Sequence, residues 1–121
     1  MTAKDVLKKK SVIIPLLFVL MLVLLNSVKH ESVFYIPFNI PGNQMAATIP
    51  PFGIFIESEF KNENPAAPCS ILKHEKIHWN QYRRMGLVMF YANYLDCYME
   101  SGRINNWMEK EAREPCANNL K

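Results

Sequence analysis

The chain has 121 residues with 14 Lys/Arg against 11 Asp/Glu and a formal net charge of +3, a size that holds one compact domain plus a targeting or anchoring segment. The excess positive charge lies in the first ten residues, where Lys4, Lys8, Lys9 and Lys10 stand against Asp5, and the remainder is neutral. A neutral body with no Lys/Arg stripe argues against nucleic acid as a partner. Cys69, Cys97 and Cys116 match neither a zinc ribbon nor a CxxC redox motif, so a thiolate metal site is not expected; every pairing among them, or none, stays open.

Behind the lysines, every residue from Val12 to Leu25 is apolar or Pro15. Residues 11–28 therefore read as a transmembrane signal anchor, with the N-terminus cytoplasmic and the following domain on the non-cytoplasmic side. A cleaved signal, which would release a secreted domain, needs small residues at its end, and Leu25-Asn26-Ser27-Val28 offers a poor site. On this division residues 1–10 are a basic cytoplasmic tip, 29–52 an extended lead-in rich in proline, and 53–121 the functional domain.

Ile54, Ile56, Ser58 and Phe60 alternate with Phe55, Glu57 and Glu59, which predicts a strand over 54–60; Phe34 to Phe38 predicts a second, short one. Ser70 is the expected N-cap of a helix reaching Gly86, followed by a second helix from about Leu87 to Glu100 that stops at Ser101-Gly102. A third helix is expected to start near Asn106 and stop before Pro115. A short sheet followed by about three helices is an α+β domain.

The chemistry lies in His74-Glu75-Lys76-Ile77-His78. Histidines four apart project from one helical face about one turn apart, a spacing that suits two imidazole nitrogens on one tetrahedral Zn²⁺. Glu75, beside the first ligand, is placed as a general base toward water rather than as a third ligand. A catalytic zinc takes a third protein ligand and keeps one position open. His30 abuts the apolar segment and is a poor partner, leaving Glu109, Glu111 and Glu114. Glu109 and Glu111 are two apart on a helix, so only one of them can ligate.

With HExxH on a helix after a strand and a later glutamate, the chain resembles the gluzincins, and in size the minigluzincins, over roughly residues 50–114. The family pattern Asn-x-x-Glu, with Glu-x-x-Ala, fits Asn106, Glu109 and Ala112, so the resemblance implies Glu109 as third ligand beside His74 and His78. It also implies Glu75 as the catalytic base of a zinc metallopeptidase that takes a peptide or protein substrate, and a substrate-binding sheet edge at Ile54–Phe60. Many relatives carry an acid four residues after the ligating glutamate to orient a histidine. Arg113 stands there, so that role passes to Glu114 or a backbone carbonyl. Asn106-x-x-Glu109 is also a capping box, which would draw the same carboxylate back to the Asn106 amide. Gln81, one turn after His78, could contact substrate or support a ligand but reads better as a surface residue, Trp79 and Trp107 read as packing around the site, and Arg83-Arg84 as the solvated end of the helix. The rival functions are a zinc-binding module without hydrolytic activity and a metal-free, membrane-anchored interaction protein with an accidental motif.

Overall fold

Alternating burial along Gly53–Glu57 builds the centre of a three-stranded sheet: Ile54 and Ile56 are buried on one face while Phe55 and Glu57 are half-buried on the other. The computed structural model describes residues 1–42, 44–67 and 69–119. Its elements are α1 (Ala3–Asn26), β1 (Val33–Ile36), β2 (Ala46–Ile49), β3 (Gly53–Glu57), α2 (Ile71–Met85), α3 (Leu87–Asn105) and α4 (Trp107–Asn119), with a 3-10 turn at Ser58–Phe60. The order β1-β3-β2 puts β3 in the middle, parallel to β1 from Val33↔Ile54 to Ile36↔Glu57 and antiparallel to β2 from Ala46↔Ile56 to Ile49↔Gly53. Gly53 sits at φ +146°, and a Cβ there would stand 2.5 Å from the Ser32 carbonyl oxygen, so the approach of the chain before β1 requires glycine.

The strand expected over 54–60 ends at Glu57 because both ladders end there, and the backbone turns into the 3-10 segment. Being central, β3 cannot offer the edge expected at Ile54–Phe60. That edge belongs to β2, drawn from the stretch expected to be an irregular lead-in. Ala46-Ala47-Thr48-Ile49 carries little alternation of its own, and its strand conformation comes from pairing with β3.

The helices follow their caps. The Ser70 side chain accepts the Lys73 amide at 3.1 Å, and α2 stops at Gly86, whose φ is 83°. The expected stop at Ser101-Gly102 is a break inside α3, where Gly102 leaves helical geometry at φ 74° and ψ −175°. The expected end of α4 before Pro115 is overrun: the helix continues through Pro115 to Asn119. A disulfide between Cys69 and Cys116 holds the turn beyond the proline against the start of α2, and Cys97 is free. Trp79, Tyr82, Leu87, Phe90 and Met108 join Ile54, Ile56 and Ala46 in one core. The α+β class read from the sequence holds; the transmembrane part of that reading does not.

Among the described residues no helix is long and apolar enough to cross a membrane, which overturns the transmembrane signal anchor over residues 11–28 and the single-pass placement. The apolar run of α1, Val12 to Leu25, spans about 21 Å at 1.5 Å per residue, against about 30 Å of hydrocarbon. Four lysines and Asp5 occupy the turns before it. The C-terminal end of α1 is instead part of the fold, with Leu22 and Leu25 packed on the core. The Asn26 side-chain oxygen accepts the Leu87 amide at 2.8 Å, the Tyr82 hydroxyl donates to the Val28 carbonyl at 2.6 Å, and the Trp79 indole donates to the Lys29 carbonyl at 2.9 Å.

The disulfide bridges a sequence separation of 47 residues, so the double substitution Cys69→Ala/Cys116→Ala is expected to lower the unfolding free energy by about 3–4 kcal/mol in urea titrations. A loss under about 1 kcal/mol would show that α4 is held in place without the cross-link.

Candidate metal centre

Helix α2 buries a face made of Glu75, His78, Trp79, Gln81 and Tyr82, and α4 crosses it with Met108 and Ala112 turned into the core. Glu109 then flanks the buried stripe on the side of the histidines. Its Oε2 lies 3.2 Å from His74 Nε2 and its Oε1 lies 3.1 Å from His78 Nε2. The two rings stand edge to face, with centroids 5.0 Å apart. The ligand atoms of His74, His78 and Glu109 all lie within 4.8 Å of one another, so these three residues form a group that could hold a metal ion.

Two donors about 2.0–2.1 Å from a tetrahedral centre lie roughly 3.3–3.4 Å apart, close to the two nitrogen–oxygen separations here. Among the described residues, the buried His78 Nε2 finds no hydrogen-bond partner. Glu109 Oε1 is within ion-pair distance of it but not aligned for a hydrogen bond. A buried lone pair aimed at a carboxylate and a second imidazole is costly unless something positive lies between them. The residues fit a divalent cation.

The structure separates the expected third-ligand candidates. Glu111 pairs with Arg84, and Glu114 shares the opposite side of α2 with Arg83 and Arg84. His30 is exposed and stands outside the cluster. The Asn106 side chain accepts the Glu109 amide at 2.9 Å; the cap is made while the Glu109 carboxylate turns to the histidines. Arg113 lines the cavity, and its Nε donates to the Glu109 carbonyl at 3.2 Å. His78 is held by Gln81 rather than by Glu114.

Glu75 is buried beside the group, and the Thr48 hydroxyl of β2 donates to its Oε2 at 2.6 Å. Sequence reasoning missed Thr48, because only the pairing of β2 with β3 carries it to α2. Gln81 was expected at the surface and is fully buried: His78 Nδ1 lies 2.9 Å from its Oε1, and its Nε2 donates to the Met108 carbonyl at 3.0 Å. Its position three residues after His78, on the same face, was the available signal. Trp79 packs in the core as expected, whereas Trp107 is largely exposed. Arg83 and Arg84 are exposed at the end of α2, as read from the sequence. A cavity of ≈ 520 Å³ opens over the group, walled by β2 from Ala46 to Thr48 and by Phe90, Tyr91 and Tyr94 of α3.

Burial raises the Glu109 pKa, but the close approach and charge of His74 and His78 outweigh it and hold the carboxyl well below its ordinary 4.5. Burial lowers that of His78, and Glu109, the charge of Glu75 and the bond to Gln81 outweigh it in turn, leaving the imidazole above 6.5. No family model, curated protein or solved structure matches the chain.

These shifts set a pH window for the metal-free chain. The lowered Glu109 contributes stability that is present above 4.5 and lost as the pH falls. The raised His78 contributes stability that is present below 6.5 and lost as the pH rises through its folded value. The thermal midpoint after chelation is therefore expected to peak between those two values, and Glu109→Gln to flatten both limbs. An unchanged profile in Glu109→Gln would refute the pairing.

Proposed function

We propose that the chain is a zinc metallopeptidase of the gluzincin kind, with His74, His78 and Glu109 as metal ligands and Glu75 as general base. The convergence of His74, His78 and Glu109 beside a buried Glu75 carries this reading. Two imidazoles and one carboxylate make a donor set suited to zinc, with room left for a fourth ligand. Bound there, zinc would supply Lewis acidity that acidifies water and polarises a carbonyl.

The protein's own groups do the rest. Thr48 holds one oxygen of the Glu75 carboxylate, leaving the other to take the proton of the attacking water and pass it to the departing amine. The products are an amine and a carboxylic acid. β2 is an edge strand whose residues line the cavity, so an extended peptide can add to the sheet next to His74 and Glu75. Phe90, Tyr91 and Tyr94 supply an apolar wall for a side chain of that peptide.

One observation favours a metal-free reading: Glu109 already pairs with both histidines. Zinc content separates the two. The full chain is expected to carry about one zinc by elemental analysis, lost in His78→Ala and Glu109→Ala and kept in Glu111→Ala. No zinc in folded wild type would leave an interaction protein with an ion-paired cluster. Against a quenched-fluorescent peptide library, Glu75→Gln is expected to lose about 10²–10⁴ in kcat/KM with zinc retained. Hydrolysis at the wild-type rate in Glu75→Gln would sink the peptidase reading and leave a zinc-binding module.

The same assay tests the base's support. Thr48→Val is expected to lower kcat roughly tenfold with KM nearly unchanged, since the hydroxyl acts only through Glu75. A change confined to KM would place Thr48 in substrate binding instead.

A further inference from the structure

We infer that Gln81 is the positioning residue of the metal centre: its amide fixes the proton of His78 on Nδ1, turns the Nε2 lone pair toward His74 and Glu109, and couples that ring to the backbone beside Glu109. This goes beyond the proposed function in assigning a role to a residue outside the ligand set. Its zinc readout rests on that proposal, and its tautomer readout does not.

The Met108 carbonyl fixes the orientation of the Gln81 amide. A carbonyl oxygen can only accept, so the group of Gln81 lying 3.0 Å from it must be the donating NH2. Reversing the amide would set two oxygens against each other in a fully buried position. The amide oxygen therefore faces His78, 2.9 Å from Nδ1. That oxygen also can only accept, so Nδ1 must carry hydrogen. In the neutral ring the remaining nitrogen, Nε2, is then a bare lone pair, and among the described residues it is a buried atom that finds no hydrogen-bond partner.

Burial makes the constraint strong. Gln81 is 0% exposed and His78 4%, so water cannot replace either bond, and a ring rotated out of register would leave both amide groups unpaired. Met108 is the residue before Glu109. One side chain thus spans the two helices that carry the donors, holding an imidazole at one end and the backbone next to the carboxylate at the other.

The test compares wild type, Gln81→Leu and Gln81→Glu as full chains. Long-range proton–nitrogen NMR of the metal-free protein at alkaline pH reads the His78 tautomer. Competition with a chromophoric chelator reads zinc affinity, and thermal unfolding reads stability. Wild type is expected in the Nδ1–H form. Gln81→Leu is expected to gain the Nε2–H form and to bind zinc about 10–100-fold more weakly. Gln81→Glu keeps an acceptor for Nδ1–H but loses the donor to Met108. It is expected to hold the tautomer and zinc affinity within a few-fold of wild type while melting lower. A residue that merely packs would instead weaken zinc in step with stability across both variants, which would overturn the inference. An Nε2–H form in wild type, or unchanged zinc affinity in a folded Gln81→Leu, would overturn it as well. If wild type shows the Nδ1–H form, lost in Gln81→Leu, but takes no zinc, the control of the ring stands and the zinc proposal fails.

Discussion

The Glu109 carboxylate lies half-buried between two imidazoles of a neighbouring helix, and a charge held partly out of water is stabilised when it is paired on both sides. Most of the domain's architecture is arranged around that requirement. Met108 and Ala112 set the rotation of α4 by entering the core, Asn106 fixes where the helix begins, and the Cys69–Cys116 bridge fastens its far end to the start of α2. Two helices that merely packed together could slide by a turn. These attachments prevent it and hold one carboxylate opposite two histidines whose spacing α2 already fixes.

The sheet serves the same centre from the other side. With three short strands it cannot enclose a ligand, but it places β2 along the cavity and Thr48 against Glu75. Burial of Ile54 and Ile56 beneath α2 is what brings that edge to the right height. The base is therefore held by a strand and the donor set by helices, so each is oriented by a different part of the core. In so small a chain this economy demands that nearly every buried polar side chain have a defined partner, and Gln81, Ser70 and Asn106 all do.

The N-terminal segment shows where one-dimensional reading goes astray. An apolar run behind a lysine cluster resembles an anchor, because hydropathy registers composition and not what the end of the helix touches. Here its last turns and the residues after them satisfy polar groups of α2 and α3: the Tyr82 hydroxyl, the Trp79 indole and the Leu87 amide all find partners between Asn26 and Lys29. Those bonds join residues fifty or more positions apart, and no local pattern carries them.

Much of the site was legible in the residues themselves. The HEKIH turn, the cap at Ser70, the alternation of β3 and the break near Gly102 are set by neighbours within one turn or one pleat, so periodicity and steric preference determine them directly. Other choices depended on contacts that close only on folding. Glu109 and Glu111 are two apart and alike in chemistry; Glu109 meets the histidines because the rotation of α4 turns Glu111 to Arg84. Gln81 is polar and two residues from an arginine pair, yet it is buried because the α2–α4 contact passes over it. Ala46–Ile49 is a strand because β3 offers it a ladder. The sequence by itself determined the chemistry available on each element, a property of short-range order. Which side chains meet was decided by long-range packing, which fixes the rotation and register of whole elements at once.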